Sequence, residues 1–451
     1  MLPRMPRGLS PAQFLAASFA GLIAIGTLLL ALPIAAEPGQ TISLLDALFT
    51  STSAVCVTGL IVVDTPRAFS TFGEVVIMLL IAAGGLGYMT FSTALAALFG
   101  RRLSLEERAT LQESLNIDTG EGLRHFVLFV AKFALAFELS GAAILTLWWL
   151  QRYDFGHSAY YGLFHAVSAF NNAGFSLFSD NLMGFRGDVV VNLVISLLII
   201  VGGLGFFTMR EVLGLTRSND RLTLHTKLVL VITGALLAYG TATILVLEWA
   251  NPKTLGGLPV WEKVLASWFQ SVSPRTAGFN TISIGDMTPA ALFVVLALMF
   301  IGASPGSTGG GIKTTTFGVT VLALWSTVRG TGEPSLFYKR IGADVVGRAF
   351  FISLIAFLTL NFVAGIILMV EHSEFLPTVF ETTSAFGTVG LSMGKPGSVL
   401  SLAGHYSPAG KLLTTLMMFL GRVGPLTVVI ALVQRRERAR LRYPEGRVFI
   451  G

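Results

Sequence analysis

Two kinds of residue cluster in this chain could do chemistry: one glycine-rich run, and four lone glycines that each close a similar segment. The run reads "IGASPGSTGGGIKTTTFG" at 301–318. Gly306 to Gly311 fit the G-x-x-x-x-G of a phosphate-binding loop, whose backbone N–H groups cradle phosphates while a Lys directly after the second Gly reaches the outer ones. Here Ile312 holds that place and Lys313 comes one residue late. The motif also needs a strand before it, whereas the uninterrupted apolar run "ALFVVLALMF" precedes this one. No nucleotide is expected on this chain. Disulfide and metal chemistry are equally unsupported, because Cys56 is the single cysteine and the six His have no ligand spacing.

The four lone glycines are more informative. They close "LLDALFTSTSAVCVTGL" (44–60), "YYGLFHAVSAFNNAGFS" (160–176), "VLASWFQSVSPRTAGFNT" (264–281) and "LPTVFETTSAFGTVGLS" (376–392). Each segment starts with a part-apolar stretch too short to cross a bilayer but long enough for a re-entrant helix. Each then reaches a Gly followed by Leu or Phe, at Gly59, Gly174, Gly278 and Gly390. An aromatic stands ten residues before each Gly (Phe49, Phe164, Trp268, Phe380), and a Ser six before, except in the third copy, which has Val272. Such turns at membrane depth can offer carbonyl oxygens in place of a cation's water shell. Glycine suits them because it reaches positive φ without steric cost. The carbonyl-bearing residues are read as Val57, Thr58 and Gly59; Asn172, Ala173 and Gly174; Thr276, Ala277 and Gly278; and Thr388, Val389 and Gly390. Short helices ending at these turns aim their negative ends at the pathway, which favours a cation over an anion.

What positions them is a membrane-embedded scaffold. The chain is 53% hydrophobic and 12% charged, with a mean hydropathy of +0.73, against about 25% charged residues in an ordinary soluble domain. Apolar runs of spanning length appear near 12–36, 70–99, 123–150, 187–214, 225–249, 288–324, 342–370 and 409–434. Most Lys and Arg fall on one side if the N-terminus is inside: Arg4 and Arg7; Arg101, Arg102, Arg108 and Arg124; Arg210, Arg217, Arg221 and Lys227; Arg329, Lys339, Arg340 and Arg348; and the six Arg after 434. This positive-inside pattern places both termini in the cytoplasm of a multi-pass cell-membrane protein. It also explains the +6 net charge without nucleic acid.

A second glycine landmark follows each turn, at Gly84, Gly202, Gly302 and Gly421. The unit is therefore span, pore helix, glycine turn, span, repeated four times. Each copy starts and ends inside, so the copies are parallel and related by an axis along the membrane normal, unlike the inverted repeats common in secondary transporters. The expected fold is an all-α integral membrane protein of four parallel M1–pore helix–M2 repeats around a central pore. The expected divisions are 10–122, 123–224, 225–341 and 342–434 for the four repeats, and 435–451 for a basic cytoplasmic tail.

"TSAVCVTGL", "SAFNNAGF", "SPRTAGFNT" and "SAFGTVGL" resemble the four filter segments of the Trk/Ktr/HKT superfamily of potassium transporters. The resemblance runs over essentially the whole chain and is nearest to the membrane subunit of Ktr systems. It implies a pseudo-tetrameric, potassium-channel-like pore for potassium uptake, with Gly59, Gly174, Gly278 and Gly390 as filter glycines. In plant relatives a Ser at the first of these positions goes with sodium, so Gly59 points to potassium. One glycine per repeat, where potassium channels carry T-V-G-Y-G, implies looser selectivity. It further implies a homodimer in membrane lipid, a cytoplasmic ring of RCK-type nucleotide-binding regulatory subunits, and sodium as a candidate activator. A sodium- or proton-coupled symporter on the same scaffold is the alternative.

The glycine-rich run now has a place: the middle of the third unit's second span. Gly302, Gly306, Gly309, Gly310 and Gly311 with Pro305 cannot hold a straight helix, so the span must break against the pathway or inside protein. With Ser304, Ser307, Thr308 and Lys313 it is expected to form a gate, and it resembles the family's intramembrane gating loop. Arg422 lies at the equivalent level of the fourth unit and is expected to face the loop and donate to its oxygens. Lys313 is expected at the loop's end, reaching toward the inner surface. Asp46, Asp154, Asp180 and Glu381 are expected near the outer mouth, where they could concentrate cations. Lys132 and Glu138 share no helix face and suggest no proton relay.

Overall fold

The computed structural model describes residues 11–87, 123–215, 222–330 and 332–424. The expected basic anchors Arg4, Arg7, Arg101, Arg102, Arg108, Arg217 and Arg221 and the tail 435–451 lie outside the described residues. Each unit opens on a long helix: α1 (Pro11–Leu30), α4 (Leu123–Trp149), α8 (Leu224–Glu248) and α12 (Ala343–Glu371). The last three are long and apolar enough to cross a bilayer. Their outward faces are greasy: Leu147 is 69% exposed, Val246 74% and Phe362 70%. A protein in water rarely bares so much apolar surface; this is the surface of a membrane protein.

A short helix follows in each unit: α2 (Leu44–Val55), α5 (Phe155–Phe170), α9 (Val260–Val272) and α13 (Phe375–Gly387). Local chemistry starts several helices cleanly. The Ser43 hydroxyl accepts from Asp46 N (3.1 Å) at α2, and Asp154 accepts from Gly156 N (2.9 Å) at α5. Close approach of long and short helices uses a glycine on one and a serine on the other. The Ser51 hydroxyl donates to Ile23 O (2.8 Å) opposite Gly26, and the Ser271 hydroxyl donates to Leu237 O (2.8 Å) opposite Gly240. The cores cross unit boundaries. Phe49, Phe164 and Phe386 share one, Phe170 and Phe269 another, Val295 and Phe380 a third.

The second helices depart from expectation. They are α3 (Thr71–Gly85), α6 (Val189–Gly203) with α7 (Phe206–Leu215), α10 (Pro289–Phe300) with α11 (Thr314–Val328), and α14 (Pro408–Val423). A break was expected in the third unit alone, yet the other three also end or bend at the same register. The reason is a glycine three residues past the landmark with positive φ: Gly87 (77°), Gly205 (91°) and Gly424 (90°). At Gly205 the chain turns so sharply that α6 and α7 meet at 101°. The remainder of the runs 70–99 and 409–434 lies outside the described residues. Between α11 and α12, Ser335–Leu336 and Lys339–Arg340 pair as a small antiparallel hairpin.

Candidate functional site

The four glycine turns come together in a closed ring. A Cβ built on Gly59 would lie 2.4 Å from Ala173 O, on Gly174 2.7 Å from Ala277 O, on Gly278 2.2 Å from Val389 O, and on Gly390 2.1 Å from Thr58 O. Each glycine therefore abuts the carbonyl that precedes the next glycine, and the fourth returns to the first. All four have positive φ, from 69° to 92°. Two residues earlier, Val57, Asn172, Thr276 and Thr388 also sit in the left-handed region, at a strain of about 1–3 kcal/mol each for residues with a Cβ. Complete burial of these side chains and of Thr58, Ala173, Ala277 and Val389 holds the backbone there.

A serine closes each turn. Thr58 N donates to Ser53 O (2.7 Å), Ala173 N to Ser168 O (2.8 Å) and Val389 N to Ser384 O (2.8 Å), five residues back in every case. The hydroxyls add a second tie. Those of Ser53 and Ser384 accept from Gly59 N and Gly390 N (3.0 Å each), while Ser168 donates to Phe175 O (2.8 Å) and Ser273 to Phe279 O. The third unit corrects the sequence register: its serine is Ser273, five residues before the glycine, and Ala277 N donates only four residues back, to Ser273 O. The turn is one residue shorter. Its buried aromatic is accordingly Phe269, fully buried, and not the only partly buried Trp268.

On one side of the ring lies a cavity of about 170 Å³ walled by all four glycines together with Asp64, Asp180 and Asn181. Of the acidic residues expected at this mouth, Asp180 alone lines it. Asp46 pairs with Lys411 (2.7 Å). Asp154 caps α5, and its hydrogen bond with the His157 ring holds its carboxyl below the usual carboxylate range. Glu381 is buried, accepting from Ser392 Oγ (2.5 Å) and Ala403 N (2.9 Å), and so anchors the return loop. Asp64 was not singled out in the sequence. It accepts from Ser179 Oγ (2.7 Å), and its other oxygen has no partner. Glu138, weighed in the sequence only for a proton relay with Lys132, accepts from Asn171 Nδ2 (2.7 Å) and steadies the end of α5.

On the other side of the ring lies the glycine-rich loop between α10 and α11. Gly310 N donates to the Thr388 hydroxyl (3.1 Å), and a Cβ on Gly309 would lie 2.1 Å from the Thr276 hydroxyl. The loop is pinned to unit 2 by Ser304 N to Gly203 O (3.0 Å), Thr308 N to Gly202 O (3.1 Å), Thr308 Oγ1 to Phe170 O (3.1 Å) and Phe206 N to Gly306 O (2.9 Å). Toward unit 4, Gly311 N donates to Gly421 O (3.4 Å). Within the loop, Gly302 N donates to Ile312 O (2.8 Å), the Ser304 and Thr314 hydroxyls bond at 2.9 Å, and Ser307 Oγ donates to Ser304 O (2.6 Å). Pro305 and Gly306 are half-buried at its outer bend. Lys313 does not reach toward the inner surface; its Nζ turns back to donate to Gly309 O (2.8 Å).

Arg422 stitches this loop to unit 1. Its Nη1 donates to Thr308 O, and its Nη2 to Gly84 O and to Gly85 O (3.0 Å). The last carbonyls of a helix have no partner of their own, so one guanidinium satisfies the end of α3 and holds the loop. Loop, glycine turns and three of the four second helices thus form one hydrogen-bonded assembly across the middle of the molecule.

Comparison with known proteins agrees on the kind of molecule. A family model described as TrkH, cation transport protein, matches residues 10–441. The chain is 43% identical over 442 residues to the Ktr system potassium uptake protein B of Bacillus subtilis, covering 98% of this chain and 97% of that one. It is 36% identical over 460 residues to the potassium/sodium uptake protein NtpJ of Enterococcus hirae, covering 100% of this chain and 99% of that one. Among solved structures, the potassium transporter TrkH of Vibrio parahaemolyticus superposes with a TM-score of 0.73 at 18% identity, over 96% of this chain and 87% of that chain. The last likeness speaks for the fold.

Proposed function

Since the chain belongs to the TrkH family of cation transport proteins, we propose that it carries potassium into the cell through the ring of glycine turns, as the membrane subunit of a Ktr-type system. The observation that carries this reading is the closed ring, in which the carbonyls of Thr58, Ala173, Ala277 and Val389 each abut the preceding unit's glycine, Thr58 O meeting Gly390 of the fourth. Four parallel units then act as a pseudo-tetramer around one pathway. Backbone oxygens replace the ion's hydration shell, and the ends of α2, α5, α9 and α13 add negative potential. Asp64 and Asp180 in the outer cavity raise the local cation concentration.

The loop at 302–313 is the gate of this pathway and Arg422 its latch. Its support is position: it touches the filter threonines on the side away from the outer cavity. Opening requires the loop to leave Thr388 and Thr308 to leave Arg422. A homodimer in membrane lipid, governed by a separate RCK-type cytoplasmic ring that binds nucleotide, completes the reading; a relative bearing the name Ktr system potassium uptake protein B supports it. Sodium enters as an activator or a second cargo, in keeping with the relative named for both ions.

The test is rubidium or potassium uptake against sodium in proteoliposomes, with Gly59→Ser alongside. Rubidium and potassium should exceed sodium in the parent protein, and the variant should lose that preference. Equal sodium and potassium flux in the parent would remove the potassium assignment.

A further inference from the structure

Arg275 has no role in the pathway described so far, yet it immediately precedes the third filter segment, Thr276–Gly278. It is 7% exposed. Its side chain's one hydrogen bond among the described residues runs from Nη2 to a neutral group, the Thr233 hydroxyl on α8, at a long 3.4 Å, and its Nε has no partner. No carboxylate pairs with it among the described residues. A guanidinium stays protonated in such a place, so a full positive charge lies unpaired inside the wall of a cation pathway. At the same level the other units place a backbone carbonyl against a landmark glycine: Val55 O against Gly84, Phe170 O against Gly202 and Phe386 O against Gly421. In the third unit, with its turn shortened by one residue, the landmark Gly302 faces the loop's own Gly310 O, and Arg275, two residues after the turn serine like Val55, Phe170 and Phe386, sends its side chain to α8 instead.

Building on the potassium reading above, we propose that Arg275 weakens cation binding at the Thr276–Gly278 wall and thereby sets the rate of ion release. A positive charge at the C-terminal end of a pore helix cancels the negative potential that helix would deliver. Three walls attract the ion fully and the α9 wall less. Conduction needs a site that fills yet lets go, and a filter with one weak wall meets that need without altering any coordinating atom.

Two substitutions neutralise the charge by separate routes. Arg275→Gln removes it; Thr233→Glu leaves the guanidinium in place and pairs it with a carboxylate. Arg275→Lys keeps the charge. Potassium binding to the purified full-length protein is measured by titration calorimetry, and rubidium influx in proteoliposomes gives the maximal flux. Both neutralising variants should bind potassium about tenfold more tightly, the scale of one unit charge removed from a partly screened site, and show a lower maximal flux. Arg275→Lys should track the parent. Should Arg275→Gln fail to fold, Thr233→Glu decides alone. Parent-like affinity in a folded neutralising variant, or lower melting temperature with affinity unmoved, overturns the inference and makes Arg275 a packing residue. A parent protein that neither binds potassium nor passes rubidium overturns the potassium reading first, and this inference with it.

Discussion

At Gly278 one added methyl would meet Val389 O at 2.2 Å, with φ already at 78°. Neither the neighbouring backbone nor the strained dihedral can give way cheaply, because the segment is fully buried. Gly278→Ala is therefore expected to cut rubidium uptake at least tenfold, in line with about 1–3 kcal/mol of strain placed on the coordinating turn. Undiminished uptake with normal expression would argue against a ring that coordinates the ion. Ser384→Ala is milder. It leaves Gly390 N without its hydroxyl acceptor and should lower stability by about 1 kcal/mol, visible as a reduced melting temperature. These positions were readable because Gly plus a following apolar residue recurs at all four. The third register was not: Trp268 and Phe269 are adjacent, as are Val272 and Ser273, and alignment on the glycine selects the wrong member of each pair. Only the four-residue hydrogen bond to Ser273 O exposes the shortening.

The loop and the broken second helices belong to the next scale. Five glycines and a proline within 302–311 announced a break that no packing could heal. In "GGLGYMTF" and "GGLGFFTM" the same break was hidden, since isolated glycines in an apolar run are compatible with a continuous helix. What turns the chain at Gly205 is tertiary: Pro305 O stands where a Cβ would go, and Phe206 N finds Gly306 O. Arg422 ties this arrangement together through Thr308, Gly84 and Gly85. Arg422→Ala should raise rubidium leak through liposomes lacking any regulatory partner by about tenfold, the loss of one to two charge-assisted hydrogen bonds. Deleting residues 304–312 should raise it further. Flux unaltered by either change would mean that the loop does not gate.

For the whole molecule, the proposed pathway through four parallel hairpins predicts movement down the electrochemical gradient with no second ion required. At about 2.3 kcal/mol per charge per 100 mV, trapped rubidium should level off near a tenfold excess for each ~60 mV of inside-negative potential. A plateau well above that line, rising with an imposed sodium or proton gradient, would establish coupled symport instead. The apolar outer faces of the long helices, with Val246 74% exposed, were legible from composition. The sharing of cores between units was not, because Phe49 with Phe386 or Val295 with Phe380 are partners that only three-dimensional closure brings together.

Closure also bears on biogenesis. The last join, Gly390 against Thr58 O, unites the fourth hairpin with the first. Until the fourth hairpin is inserted, a nascent chain has no complete ring of glycine turns, and a product truncated before Gly390 cannot make one. Premature termination therefore leaves a fragment in the lipid that lacks the joined ring on which the proposed selectivity rests.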